Sequence, residues 1–580
     1  MNHAAQQQGV SAARGPAPRT SKLAAPALRT PPEGRAPGAP GAPGAPGSLD
    51  APTAALPLLE RVRAGGVGRR DPRALLTAAL PLVVIGLLAF GVRAIGVQSG
   101  FELWVDEMVY GDLGRAVARG ELPNLPDGPF FLHPPGMFLV EGAVIALFGL
   151  GDYDPASLVF DLRWMTVGFG AISVVLGFLL VQRTAGRPAA FIAAAVLIFE
   201  PFVLRNNSRV FLETLGTTAV LAGLLVLVHH LSAGGSRASR TLAPVTAGAL
   251  LGFALLTKDV FAVYVLVPVV AAIWWRRTLA GREALLVLGA TITPYASYLL
   301  FLAATGNLDG WVLAKLDGLS RMFGASQTTG FNAPNAPSLV GRLIAQVGQY
   351  GTSYLLLVLC PVAGVLVVLS KRPERRLIGL TALFMGLFGL YTAAFGTFEE
   401  QYGYGIMIAS VTAVAIAAVE LRERRPRLRR PIAVAAAVFL VCTIALGARA
   451  ELTTDNGYQQ FQAWAAESLP PDAKVGVTNA TAEWMFAGDP QYGVWVNPRE
   501  LRDAGAGYVL TQSLPTSQGY DYAAPVLLEW LEANATPVFR VDGPSNGATV
   551  LWALDGDALE RGAAENAGTD PDHAGGHGGR

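Results

Sequence analysis

The chain has 580 residues, 52% of them hydrophobic and only 15% charged, with a mean hydropathy of +0.40. A soluble globular chain carries about 25% charged residues, so this composition excludes an ordinary soluble domain and indicates a polytopic membrane protein. A net charge of +1 supplies no basic field for nucleic acid.

Residues 1–70 are rich in Pro, Gly and Ala, with a Gly-Ala-Pro repeat from Pro37 to Gly47. Large apolar side chains are too few there to offset the entropy of ordering, so the segment reads as a disordered cytoplasmic tail. It lacks the apolar core of a signal peptide, which makes the first span an uncleaved anchor. Residues 561–580, with His573 and His577 among glycines, read as a second disordered tail. The two cysteines, Cys360 and Cys442, sit far apart in apolar runs with no metal-ligand spacing and read as core thiols.

A helix needs about 20 apolar residues to cross the hydrocarbon layer. The candidates are 75–97, 161–182, 188–204, 209–231, 243–257, 260–275, 284–303, 350–370, 376–396, 404–420 and 431–449. A further apolar run, 134–150, is placed by charge. Basic clusters at Arg183/Arg187, Arg237/Arg240, Arg276/Arg277/Arg282, Lys371/Arg372/Arg375/Arg376 and Arg422–Arg430 follow every second span, and the N-terminal tail is basic as well. Cytoplasmic loops collect Lys and Arg. All clusters share the N-terminal side only if 134–150 lies along the outer interface without crossing. The expectation is a polytopic α-helical protein of about eleven transmembrane helices over 75–450, N-terminus inside, with a long first outer loop at 98–160. The break at Lys258-Asp259 splits what would otherwise be one helix with two charges in lipid.

Residues 452–556 change texture. Short β-like runs (Lys474–Val477, Tyr508–Leu510, Val538–Val541, Thr549–Trp552) alternate with helical patterns at 457–468 and 524–534. This predicts a small extracytoplasmic α/β domain with no catalytic motif of its own.

With this topology the outer side receives Asp106, Glu107, His133, Arg205, Asn206, Asn207, Arg209, Lys258, Asp259 and the run Glu399-Glu400-Gln401-Tyr402, with Glu213 one turn below Arg209. Asp106-Glu107 opens a short helix from Asp106 to Arg119. Acidic residues there could simply favour the helix dipole; the functional reading is general-base catalysis by a carboxylate near a low-dielectric boundary. His133-Pro134-Pro135 restrains the backbone. It either starts an interfacial helix or aims His133 at a phosphate or metal. Arg205, Arg209 and Lys258 are either snorkelling residues or a phosphate site. His229-His230 reads as a helix end. No Walker loop, GxGxxG or HExxH is present, which leaves nucleotide hydrolysis, nicotinamide chemistry and zinc proteolysis without support.

These residues resemble the GT-C superfamily of membrane glycosyltransferases, nearest the protein O-mannosyltransferase, aminoarabinose-transferase and RgtA/B/C/D-like branch. The likeness spans roughly 75–420. It rests on Asp106-Glu107 in Trp-Val-Asp-Glu-Met-Val-Tyr, His133-Pro134-Pro135, Arg163 near a helix start, Pro201 to Glu213 with its Ser-Arg, and Gly252 to Lys258 ending Thr-Lys. Gly136 stands where Leu is usual after the two prolines, and Phe131 where an acid is frequent. The 304–349 loop is too short for the β-trefoil repeats of eukaryotic protein mannosyltransferases. The resemblance implies sugar transfer from a polyprenyl-phosphate carrier to a glycan, lipid or protein acceptor outside the cytoplasmic membrane, with inversion. It gives Asp106 the part of the base, with Glu107 or Glu213 orienting the acceptor. Arg205, Arg209, Lys258 and His133 would meet the donor phosphate. Cofactors stay open; a divalent cation would have Asp106, Glu107 and His133 as its candidate ligands. Two rivals remain: a transporter or flippase of lipid-linked glycans, and a non-catalytic envelope assembly protein. Against the first, the spans show no repeated halves and the charges collect on one face.

Overall fold

The computed structural model describes residues 72–569, apart from 127, 234–238, 326–337, 397–400, 518–520 and 566. The tail readings for 1–70 and for His573 and His577, and the positions of Arg237, Glu399 and Glu400, lie outside the described residues. Everything below concerns the unit Asp71–Arg580.

Each predicted span coincides with a helix or a helix pair. In chain order the helices are α1 (Pro72–Ala94), α2 (Val105–Ala118), α3 (Gly136–Phe148), α4 (Pro155–Ala185), α5 (Arg187–Phe199), α6 (Pro201–Asn207), α7 (Leu212–Ala233) and α8 (Ser239–Thr257). Then follow α9 (Phe261–Trp274), α10 (Gly281–Ala304), α11 (Leu308–Met322), α12 (Leu339–Val368), α13 (Pro373–Ala394), α14 (Tyr402–Arg424) and α15 (Arg429–Leu452). Among the described residues eight helices are long and apolar enough to cross a membrane, or nine if the bent pair α5–α6 is one span; Ala79–Ala94, Gly136–Phe148 and Phe261–Trp274 are shorter apolar helices. The 60° bend between α5 and α6 falls where Pro201 enters and the Glu200 side chain turns back to cap Val203 N at 2.7 Å.

The arginine-rich loops gather at one end of the bundle. Arg375 donates to Thr184 O at 2.6 Å and to Glu420 at 3.2 Å, Arg376 reaches Thr278 Oγ1 at 3.0 Å, and His230 meets Glu283 at 3.1 Å. The opposite end holds the segments between α1 and α2, α6 and α7, and α8 and α9. There Asp455 N donates to Ser99 O at 2.7 Å. Helix α3 stays at this end, packed along α2. Cys360 is buried as expected, but Cys442 is exposed on the outward face of α15 rather than in the core.

Beyond α15 a small α/β domain forms, with α16 (Gly457–Ser468) leading into its sheet. Besides a two-stranded ribbon, β1 (Asn124–Leu125) and β2 (Gly128–Pro129), the strands are β3 (Val475–Val477), β4 (Tyr492–Gly493), β5 (Tyr508–Gln512), β6 (Ala535–Gly543) and β7 (Gly547–Leu554). The order is β4-β3-β5-β7-β6; β3 runs parallel to β4 and β5, and β7 is antiparallel to β5 and β6. The four β-like runs read from sequence are all strands, and the two-residue strands β1, β2 and β4 lacked a signal. One apolar core joins Leu103, Met108 and Leu113 to Tyr458, Phe461, Val475 and Leu551. The domain and the segment around α2 are therefore packed as one body.

Candidate active site

Helix α2 begins where Trp104, with extended backbone, hands over to Val105. Glu107 in the first turn reaches back to Trp104 N at 3.2 Å, a capping-box interaction. Glu107 is fully buried, and so is its partner Arg163 on α4. The guanidinium donates to both Glu107 oxygens at 2.8 and 2.7 Å. Its remaining N–H groups go to Val97 O, Phe101 O and Glu102 O at 3.0, 3.2 and 3.4 Å. Glu107 also accepts from Val210 N at 2.9 Å. This bidentate pair stitches the α1–α2 segment, α2, α4 and the α6–α7 segment together.

Asp106, one residue earlier, faces elsewhere. Its Oδ2 accepts from Gln401 Nε2 at 2.6 Å. Gln401 Oε1 in turn accepts from Lys258 Nζ at 2.9 Å, and Lys258 Nζ bonds Glu213 Oε1 at 2.5 Å. The result is a continuous polar track, Asp106–Gln401–Lys258–Glu213, drawn from α2, the start of α14, the α8–α9 break and the first turn of α7. Lys258 and Glu213 are both buried, and the Tyr402 ring lies 5.3 Å from the ammonium. Glu213 Oε2 has no hydrogen-bond partner among the described residues. The helix break at Lys258-Asp259 thus turns Lys258 inwards and sends Asp259 to Tyr295 and Lys315, at 2.5 and 2.6 Å.

Of the predicted phosphate-binding residues, Lys258 lies on this track. Arg205 and Arg209 have their described contacts in the neighbouring cluster. Arg205 donates to Tyr350 Oη at 3.1 Å and lies over that ring. Arg209 is buried, donates to Glu102 O at 3.2 Å and is ringed by Phe101, Trp104 and Phe211 at 5.7, 5.7 and 6.0 Å. No carboxylate pairs with Arg209 among the described residues, and its Nε is buried without a partner. A desolvated cation with no carboxylate in direct contact is costly, so an arriving anion would stabilise it.

His133 stacks edgewise between Tyr110 and Phe130. Burial and the positive charges of Lys258, Lys315 and Arg321 push its pKa well below the usual imidazole range, so the ring is neutral at physiological pH. Lys315 on α11 holds the same loop by donating to Leu132 O at 2.7 Å. Gly136 explains its departure from Leu. A Cβ there would sit 2.6 Å from Leu256 O, so only glycine lets the start of α3 pack against the end of α8 that delivers Lys258. Asp106, Glu107 and His133 point to three different surroundings. No group of three or more His, Cys, Asp or Glu residues is arranged to hold a metal among the described residues.

The sequence reading assigned no role to Gln401, Lys315 or Glu102. Glu102 is buried and accepts from Leu103 N and Tyr458 N at 3.0 and 3.1 Å, while its carbonyl takes Arg163 and Arg209. It fastens the C-terminal domain to the site. Spacing carries no signal for any of the three, because each acts across a long sequence separation.

No protein-family model matches the chain. Over 221 residues it is 30% identical to the undecaprenyl phosphate-alpha-4-amino-4-deoxy-L-arabinose arabinosyl transferase of Pseudomonas aeruginosa PAO1, covering 36% of this chain and 39% of that one. The matched region thus spans well under half the length of this curated relative. The crystal structure of ArnT from Cupriavidus metallidurans bound to undecaprenyl phosphate superposes with a TM-score of 0.50 at 15% identity, covering 83% of this chain and 99% of that one. The archaeal oligosaccharyltransferase AglB from Archaeoglobus fulgidus, in complex with an inhibitory peptide and a dolichol-phosphate, gives a TM-score of 0.48 at 12% identity. The likeness to ArnT is one of fold, and it agrees with the polytopic helical architecture expected from the sequence.

Proposed function

We propose that this protein transfers a sugar from a polyprenyl-phosphate carrier to an acceptor at the outer face of the cytoplasmic membrane, with inversion at the anomeric carbon. The observation that carries the reading is the Asp106–Gln401–Lys258–Glu213 track, which aligns a carboxylate base and a buried cation at the domain-bearing end of the bundle. The likeness to a transferase named for an undecaprenyl phosphate-linked aminoarabinose supports the donor class.

In this reading the acceptor hydroxyl gives its proton to the Asp106 carboxylate as its oxygen bonds the anomeric carbon. The bond from that carbon to the phosphate oxygen breaks, and its electron pair leaves on the phosphate. Lys258, with Arg209 and Arg205 alongside, stabilises that growing charge. Neutral His133 offers the phosphate a single N–H donor. Glu213 holds Lys258, and its second oxygen remains available to the acceptor. Glu107 clamps Arg163 and shapes the site without touching substrate. The orientation proposed is N-terminus inside and C-terminal domain outside.

The test is release of free polyprenyl phosphate from a panel of synthetic polyprenyl-phosphate sugars, incubated with purified protein and an envelope extract as acceptor. Asp106→Asn keeps the side-chain size and removes proton affinity, so release should fall by about 10²-fold or more with the fold unchanged. Near wild-type turnover in Asp106→Asn, or no release from any donor by the wild type, would refute the proposal. The latter result would favour a transporter.

A further inference from the structure

Asp106 and Lys258 stand on elements far apart in sequence, and what lies between them is one neutral side chain. We infer that Gln401 is a positioning residue that sets the base and the leaving-group cation at a fixed separation while keeping their charges apart; this rests on the glycosyl-transfer reading above. An ammonium only donates hydrogen bonds and an ionised carboxylate only accepts them. The amide can therefore bridge them in one orientation, Oε1 towards Lys258 at 2.9 Å and Nε2 towards Asp106 at 2.6 Å.

The chemistry explains why an amide suits this place. A direct Asp106–Lys258 ion pair would lower the basicity of the carboxylate. With the amide interposed, Asp106 is oriented without a direct bond to the ammonium, which keeps its ion pair with Glu213. The charged and shorter alternatives to the amide fail at one task or the other. Glutamate would set a second carboxylate against Asp106, Lys or Arg would oppose Lys258, and Asn is one methylene shorter. Gln401 is itself well anchored. It precedes the first residue of α14, Tyr402, whose ring flanks the same ammonium at 5.3 Å and whose carbonyl accepts from Tyr264 Oη at 3.1 Å. Two consecutive residues thus grip Lys258 from two sides.

Among the described residues, the charged groups near Asp106 are these. Glu107 on the same helix is committed to Arg163. Lys258 lies across Gln401, and Glu213 lies beyond it. Lys258 and Lys315 both act on His133, and Lys315 donates to the neighbouring Leu132 O.

The experiment uses the full chain in lipid nanodiscs with whichever synthetic polyprenyl-phosphate sugar the wild type turns over. Gln401→Glu should move the acidic limb of the kcat/KM profile upwards by about one pH unit, because a second carboxylate disfavours ionisation of Asp106. Gln401→Leu should lower kcat per folded molecule about 10- to 100-fold with donor KM little changed, as expected for lost alignment. Gln401→Asn should fall between Leu and wild type. A structural role alone would lower thermal stability and leave both the pH profile and kcat of the folded fraction unmoved. An unshifted profile in Gln401→Glu, or kcat within about twofold of wild type in Gln401→Leu, would overturn the inference. If Asp106→Asn is inactive in the same assay, such a result removes the role of Gln401 and leaves the transferase reading standing.

Discussion

Glu107→Gln separates two adjacent carboxylates by what each is bonded to. The substitution keeps the shape of the side chain but replaces one oxygen with an NH2 group. At present the two oxygens accept from Arg163 Nε and Nη2, Val210 N and Trp104 N at 2.7 to 3.2 Å. After the change at least one of these donors faces another donor. Arg163, fully buried, also loses its counter-charge. Removing one partner of a buried pair costs about 3–5 kcal/mol. Three of the Arg163 bonds, to Val97 O, Phe101 O and Glu102 O, would survive, which places the loss towards the lower end, about 3–4 kcal/mol. Unfolding in mixed micelles of increasing denaturing detergent, followed by tryptophan fluorescence, would read this as an earlier midpoint. Asp106→Asn, at a half-buried site bonded to Gln401, should unfold near the wild-type midpoint. A Glu107→Gln protein as stable as wild type but unable to transfer sugar would refute the structural assignment and make Glu107 a chemical participant.

Other outcomes follow from the same geometry. Burial, reinforced by Asp455, raises the Glu102 carboxyl to about 7, and burial raises Asp521 to about 8. Acids raised in the folded state add stability that is complete below their unfolded values near 4 and is lost as pH climbs through 7 to 8. The amides of α16 should therefore show lower hydrogen-exchange protection factors at pH 8.5 than at pH 5.5, with a flatter dependence in Asp521→Asn; equal wild-type protection at both pH values would contradict this. Gly136→Ala pushes a methyl group to within 2.6 Å of Leu256 O, a backbone atom that cannot swing aside. It should cost about 1–3 kcal/mol and raise donor KM by parting the His133 loop from Lys258, and an unchanged melting temperature would count against that packing. A reporter active only in the cytoplasm should work when fused after Arg277 or Arg425 and be silent after Asn332 or Gly457, and activity at Gly457 would reverse the proposed orientation.

What the sequence reveals about this molecule follows the range over which each interaction acts. Spans are local sums of apolar residues, so their positions were legible, and the misses are at edges with a local cause. Helix α4 starts at Pro155 rather than 161 because Asp154 caps it through Ser157 N. Helix α12 starts at Leu339 rather than 350 because Ser338 caps it through Gly341 N, and the helix kinks at Tyr350. The strands at 475, 508, 538 and 549 announced themselves by β-branched and aromatic runs, whereas Tyr492-Gly493 is too short to do so. The site was legible as a set of residue types but not as a wiring pattern. Lys258 meets Gln401 across 143 residues, Asp106 meets Gln401 across 295, and Arg209 meets Glu102 across 107. One part of the wiring could have been anticipated. Consecutive residues on an α-helix diverge by about 100°, and neighbours at i and i+1 do not face the same way. Asp106 and Glu107 could not both point at one substrate atom from the first turn of α2. One of the pair had to face the protein, and the apolar stretch that brings Arg163 into α4 supplied the place for it to go.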